Sequence, residues 1–128
     1  MAKQPFKPSY RGPFNLINRM DWSLRGWRQT YRSEGSFRSW IYANIASALL
    51  AFVLPLDGFE RLVIIVAGLS ILAVELVNTA IEHLADMVEP AEHPGIAACK
   101  DAASAGVAIA AIAAGVAWGF ALVGLAGF

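Results

Sequence analysis

Three polar side chains interrupt one face of a long apolar stretch. The sequence VELVNTAIEH, residues 74–83, contains Glu75, Asn78 and Glu82, and the thirteen residues before Glu75 carry no charge. Because an α-helix turns about 100° per residue, these three side chains and Asp86 share one stripe of a helix. An ionisable group inside an apolar helix is costly, so it is treated first as a functional hypothesis.

Several chemistries fit these carboxylates. Oxygen ligands near an interface suit Mg²⁺, which binds one or two carboxylates together with substrate phosphates. A deeper carboxylate suits a general base acting on a lipid hydroxyl, and Lys100 suits a phosphate, so the parts of a phosphoryl-transfer site are present. The phosphate-binding motif GxxxxGK[ST] does not occur in the chain. Spacing alone leaves two alternatives open: a proton-coupled transporter, and a regulatory membrane subunit in which Glu75 bonds to a partner helix.

The composition indicates a membrane protein. The chain has 128 residues, of which 57% are hydrophobic and 16% are charged, whereas soluble domains have about 25% charged residues. Residues 1–38 contain eight of the ten basic residues and only two acidic ones. A basic arm before an apolar body is typical of contact with anionic lipid, and we expect no nucleic-acid partner.

Three segments are long and apolar enough to span a bilayer, whose core of about 30 Å needs roughly 20 helical residues. We predict one membrane domain, residues 1–128, with an arm and surface helix over 1–35 and spans over about 38–56, 61–83 and 101–127. The expected fold is all-α, with three transmembrane helices behind an amphipathic surface helix. A soluble helical bundle is the weaker alternative, because a short chain lacks the polar faces to cover three such runs.

The surface helix has its own periodicity within the arm. Apolar residues recur at spacings of three and four, which is typical of an amphipathic helix lying on a membrane: Ile17, Met20, Leu24, Trp27 and Tyr31.

The distribution of basic residues predicts the orientation. The arm carries eight basic residues, and the segments after the first and second spans carry only Arg61 and Lys100. Since basic residues stay on the cytoplasmic side, we expect the N-terminus in the cytoplasm. Residues 85–101, which contain two prolines, are then expected to form a cytoplasmic polar loop.

Three motifs identify a resemblance to a known family. The sequences ELVNTAIE (75–82), CKDAASAGV (99–107) and RSEGSFR (32–38) resemble the signature of the prokaryotic diacylglycerol kinases, which are small integral membrane lipid kinases. The resemblance extends from about Trp22 to the last span. It implies a homotrimer in the bacterial inner membrane that transfers the ATP γ-phosphate to a lipid hydroxyl with Mg²⁺.

The resemblance also implies roles for individual residues. Glu75 corresponds to the general base. Together with Asn78 and Ser104, it is expected to contact the lipid substrate. Glu34 and Glu82 correspond to metal-binding carboxylates. The nucleotide side of the site is expected to contain Glu34, Glu82, Asp86, His93, Lys100 and Asp101.

The sequence leaves the lipid substrate open between two members of this class. The histidine–proline pair in EPAEHPGIAACKD (89–101) resembles the branch that phosphorylates undecaprenol. The arm and RSEGSFR resemble the diacylglycerol branch. Diacylglycerol, which would give phosphatidic acid, is our first expectation, and undecaprenol is the alternative.

Overall fold

The computed structural model describes residues 16–89 and 93–127. They form four α-helices: α1, Leu16–Ser33; α2, Gly35–Val53; α3, Gly58–Val88; and α4, Pro94–Leu125. No strand occurs among these residues, which confirms the all-helical prediction. The helix α3 is central, because it packs against each of the other three helices.

The turn between α2 and α3 is fixed by local hydrogen bonds. The Asp57 carboxylate accepts from the Glu60 backbone N–H, and the Glu60 carboxylate accepts from the Asp57 backbone N–H, both at 2.8 Å. This reciprocal cap satisfies two N–H groups at the start of α3. Arg61 closes the end of α2 by donating to the carbonyl oxygens of Ala51 at 3.0 Å and Leu54 at 3.4 Å. The chain therefore reverses direction within four residues, 54–57.

The small core lies beside this turn. Ala51, Leu56, Ile64 and Ala121 are buried together there. The Trp118 indole N–H donates to the Ser47 hydroxyl at 2.8 Å and links α4 to α2. Large apolar side chains elsewhere stay exposed, such as Val53 at 80% and Phe120 at 77%. Exposed apolar surface on this scale is typical of a chain that meets lipid or a partner.

Two helices, α3 and α4, are long and apolar enough to cross a membrane. They have 31 and 32 residues, about 46 and 48 Å at 1.5 Å per residue, so each exceeds a hydrocarbon core of about 30 Å. The predicted first span coincides with α2, which has 19 residues. Its first half carries Arg38 and Asn44, which lower its hydropathy, so its role as a span stays a prediction.

The predicted loop over residues 85–101 is largely helical, so that expectation was wrong. The helix α3 continues to Val88 and α4 already begins at Pro94. His93 caps α4, because its Nδ1 accepts from the Gly95 backbone N–H at 3.1 Å. Proline is well tolerated at the first position of a helix, because the backbone N–H that it lacks has no partner within the helix there. Pro94 therefore starts a helix where the sequence interpretation placed a loop.

A single residue, Glu34, separates α1 from α2. Arg38 donates to the carbonyl oxygens of Tyr31 at 2.9 Å and Arg32 at 3.1 Å, at the end of α1. The Tyr31 and Tyr42 hydroxyls are hydrogen-bonded at 2.9 Å, and this bond raises the pKa of Tyr31 above its ordinary value. These contacts hold the surface helix in a defined position relative to α2.

Close packing of α2 on α3 depends on Gly68, and its replacement gives a first prediction. A methyl group at Gly68 would overlap the side-chain oxygen of Asn44, whose amide donates to the Trp40 carbonyl at 2.8 Å. We expect Gly68→Ala to destabilise the protein by about 1 kcal/mol, because the Asn44 side chain must rotate away and lose its bond to Trp40. Thermal unfolding in detergent measures this, with Gly26→Ala on α1 as the control because its added methyl meets open space. Equal unfolding temperatures for the two variants would contradict the packing argument.

Candidate functional site

The polar stripe on α3 forms as the sequence predicts, and its exposure increases along the helix. Glu75 and Asn78 are buried, at 4% and 8% exposure. Glu82 is half-buried and Asp86 is exposed. The stripe therefore runs from a buried carboxylate to one that water reaches.

Asn78 connects the two ends of this stripe. Its amide nitrogen donates to the Glu82 carboxylate at 3.0 Å, across one helical turn. Its amide oxygen is buried and has no hydrogen-bond partner among residues 16–89 and 93–127. A buried acceptor without a partner costs about 1–3 kcal/mol, so this oxygen is available to a hydroxyl or amine of a ligand.

Glu75 lacks a stabilising partner in the part of the chain that the structure describes. No hydrogen bond or ion pair joins its carboxylate to another of those residues. A structural ion pair within the described helices therefore does not account for Glu75. An unpaired buried carboxylate is costly to keep, which favours a role in chemistry.

Glu34 reaches α3 from the junction of α1 and α2. Its carboxylate lies 3.3 Å from Nε2 of His83, the residue after Glu82. This contact brings both predicted metal ligands to the same end of α3. Sequence interpretation missed His83, because its partner lies on another element and no local spacing marks the contact.

The carboxylate oxygens of Glu34 and Glu82 suit a metal ion that is also coordinated by water or by substrate phosphates. No group of three or more histidine, cysteine, aspartate or glutamate residues suitable for a metal occurs within residues 16–89 and 93–127. Two carboxylates do fit Mg²⁺, which usually keeps several waters and binds substrate phosphates. The oxygen donors of Glu34 and Glu82 therefore fit a metal–nucleotide better than a resident metal ion.

The predicted nucleotide residues are only partly brought together. Lys100 on α4 forms a salt bridge and hydrogen bond with Asp86 on α3, where both helices extend beyond their most apolar stretch. His93 caps α4 instead of facing the stripe. Asp101 and Ser104 are exposed on α4, and no hydrogen bond or ion pair between the described residues connects them to the stripe. The structure therefore links Lys100 to Asp86, whereas His93, Asp101 and Ser104 make no such contact with the stripe.

A cavity of about 410 Å³ lies between α1 and α3, beside the stripe. Its lining includes Trp27 and Thr30 from α1, and Leu76, Thr79 and His83 from α3. Both threonines are buried. Sequence interpretation missed them, since threonine on a helix carries no signal of a binding wall.

Comparison with known proteins gives a consistent result. The chain matches the model of the family described as prokaryotic diacylglycerol kinase over residues 21–122. It is similar to a diacylglycerol kinase of Pseudomonas aeruginosa, with 34% identity over 124 residues that cover 97% of this chain and 100% of the relative. A diacylglycerol kinase of Escherichia coli K12 is 30% identical over 80% of this chain and 84% of its own length. An undecaprenol kinase of Bacillus subtilis is 34% identical over 69% of this chain and 72% of its own length.

The unpartnered oxygen of Asn78 yields a prediction about stability. We expect Asn78→Leu to unfold at the same or a higher temperature than the unchanged protein. Leucine removes a buried acceptor that costs about 1–3 kcal/mol, and this offsets the lost bond to Glu82, worth about 1 kcal/mol. Thermal unfolding in detergent is the measurement, and Val77→Leu on the adjacent, exposed position is the control for inserting a leucine. A large fall in unfolding temperature for Asn78→Leu alone would show that the amide stabilises the fold.

Proposed function

This chain belongs to the prokaryotic diacylglycerol kinase family, and on that premise we propose that it transfers the γ-phosphate of ATP to the hydroxyl of diacylglycerol. The product would be phosphatidic acid. Undecaprenol is the second candidate acceptor, because the undecaprenol kinase of Bacillus subtilis is as similar in identity as the Pseudomonas relative, over a shorter stretch.

The buried carboxylate of Glu75 is the observation that carries the proposal. It is 4% exposed, and it has no ion-pair partner among the described residues. A carboxylate in this setting is suited to accept the proton of a lipid hydroxyl, because no cation among the described residues competes for it. Asn78, one turn along the helix, has an acceptor oxygen that can accept from this hydroxyl before the proton passes to Glu75, since a hydroxyl has a single proton to donate.

The more exposed end of α3 is suited to the nucleotide. Bound Mg²⁺ would neutralise the phosphate charge that develops during transfer. Glu34 and Glu82 would hold the metal through oxygen atoms, and Asn78 would keep Glu82 in orientation by its 3.0 Å hydrogen bond. Lys100 would exchange Asp86 for a phosphate oxygen, since its side chain is 35% exposed and that of Asp86 is 61% exposed.

The remaining predicted site residues are assigned by their position. His93, Asp101 and Asp86 lie at the same end of the helices as Lys100, and we assign them to the nucleotide side. Ser104 lies one turn beyond Lys100 on α4, and we assign it to the lipid side.

We further propose that α2 is the third span and that the N-terminus is cytoplasmic, in a bacterial inner membrane. The second half of α2 presents exposed apolar side chains, among them Leu49 and Phe52 at 63% and 64%. Its first half follows Glu34, which lies beside the proposed site. A homotrimer would cover part of the small-residue face of α4, which includes Gly115 and Gly119, since small residues allow helices to approach closely in lipid.

A kinase assay with a Glu75 variant tests the proposed function. Purified protein is offered labelled ATP with diacylglycerol or undecaprenol, with and without Mg²⁺. We expect Mg²⁺-dependent labelling of diacylglycerol. We expect Glu75→Gln to lower turnover by about 100-fold or more, because the amide cannot accept the proton.

Glu60→Gln is the matched control for this variant. It makes the same change on the same helix at the opposite end, where glutamine can still complete the helix cap. It should keep full turnover. Full activity of Glu75→Gln would remove Glu75 from the mechanism, and labelling of neither lipid by the unchanged protein would overturn the proposed function.

The orientation is tested with the protein's own cysteine. Cys99 is the one cysteine in the sequence and is exposed near the start of α4. We expect a membrane-impermeant maleimide to label it in inside-out vesicles and not in right-side-out vesicles, with Cys99→Ala as the unlabelled control. The reverse pattern would place Lys100 outside the cell, away from ATP.

A further inference from the structure

Two hydroxyls in the cavity between α1 and α3 have no role in the proposed phosphoryl transfer. Thr30 and Thr79 are 8% and 5% exposed, and both line the cavity of about 410 Å³. No hydrogen bond joins either hydroxyl to another described residue. A helical threonine usually satisfies its hydroxyl with a backbone carbonyl one turn away. These two instead border an open groove between α1 and α3, which indicates a ligand that accepts hydrogen bonds.

The cavity lies beside the proposed reacting groups. Thr79 follows Glu75 by four residues, so it lies about 6 Å further along the helix axis and about 40° around it, on the side of α1. Leu76 and His83 line the same wall. The cavity therefore runs along the stretch of α3 that carries Glu75 and Glu82. A lipid whose hydroxyl meets Glu75 would place its neighbouring atoms in this cavity.

The lining determines which chemical group fits. Trp27, Leu76 and Ala80 provide apolar walls, and the described lining contains no lysine, arginine, aspartate or glutamate. Such a wall does not suit a phosphate, which would need a cation. It suits an uncharged acceptor attached to hydrocarbon, and hydroxyl donors suit the carbonyl oxygen of an ester.

We propose that Thr30 and Thr79 donate hydrogen bonds to the ester carbonyls of diacylglycerol and thereby select it over undecaprenol. The inference rests on the proposed lipid kinase function. Diacylglycerol has two ester carbonyls within a few bonds of its free hydroxyl. Undecaprenol has a hydroxyl and no carbonyl, so it would leave both threonine hydroxyls buried without a partner. A site built to bond polar groups rejects a substrate that lacks them.

The test compares lipids that share a hydroxyl and differ in their carbonyls. The full chain is assayed in mixed micelles with a 1,2-diacylglycerol, with the 1,2-dialkylglycerol ether of the same chain length, and with undecaprenol. We expect kcat/KM to be higher for the ester than for the ether. We expect Thr30→Val and Thr79→Val each to lower kcat/KM for the ester about 3- to 10-fold, as for the loss of one hydrogen bond. For the ether, both variants should keep or raise kcat/KM, because they remove hydroxyls that this lipid leaves without a carbonyl partner. Thr30→Ser and Thr79→Ser should keep the preference for the ester.

The ether lipid also reports whether each variant is folded, because its turnover does not require the threonine hydroxyls. A variant that loses both activities is replaced by the smaller Thr→Ala change and scored in the same way. Equal kcat/KM for ester and ether in the unchanged protein would overturn the inference while leaving the kinase function intact. An equal loss for both lipids in the valine and alanine variants would also overturn it, because the threonines would then serve packing alone. Turnover of none of the three lipids would instead refute the proposed function.

Discussion

The proposed site depends on one costly feature: a carboxylate buried within an apolar helix, without a counter-charge from the described residues. Glu75 is 4% exposed, and the Asn78 oxygen one turn away also lacks a partner within that part of the chain. Burying such groups without hydrogen bonds opposes folding. Contacts of α3 with α1, α2 and α4 offset this cost, because they hold the rest of α3 in place. The central position of α3 is thus a requirement of the site as well as of the fold.

The two proposed reactants meet at a boundary that neither crosses. The tails of a lipid alcohol stay in the bilayer, and ATP stays in water. A helix of 31 residues extends beyond a hydrocarbon core of about 30 Å, so it can present one carboxylate to each reactant. Exposure increases along this helix from Glu75 through Glu82 to Asp86. The buried end would therefore face the lipid and the exposed end the nucleotide. Holding both reactants in place accounts for much of the rate that such a site can supply.

The sequence predicted what depends on one helix and failed where elements meet. The stripe from Glu75 to Asp86 follows from helical periodicity alone, and the Asn78–Glu82 hydrogen bond agrees with it. The contact of Glu34 with His83 joins two distant segments, so no spacing along the chain encodes it. The loop prediction over 85–101 failed because prolines were taken as helix breakers, although Pro94 begins α4. The cavity threonines were missed because burial by a neighbouring helix cannot be inferred from their type.

The choice of lipid must be made away from the carboxylates. Glu75 and Asn78 would meet only the acceptor hydroxyl, which diacylglycerol and undecaprenol share. A site that contacts this group alone cannot separate the two, and relatives with both names are similar to this chain. To discriminate between the two lipids, the protein needs polar groups that contact the part of the lipid in which they differ, away from the reacting hydroxyl. Between α1 and α3 the buried hydroxyls of Thr30 and Thr79 are in that position. The surface helix, which the sequence suggests is an anchor, therefore also forms the wall that distinguishes one membrane alcohol from another.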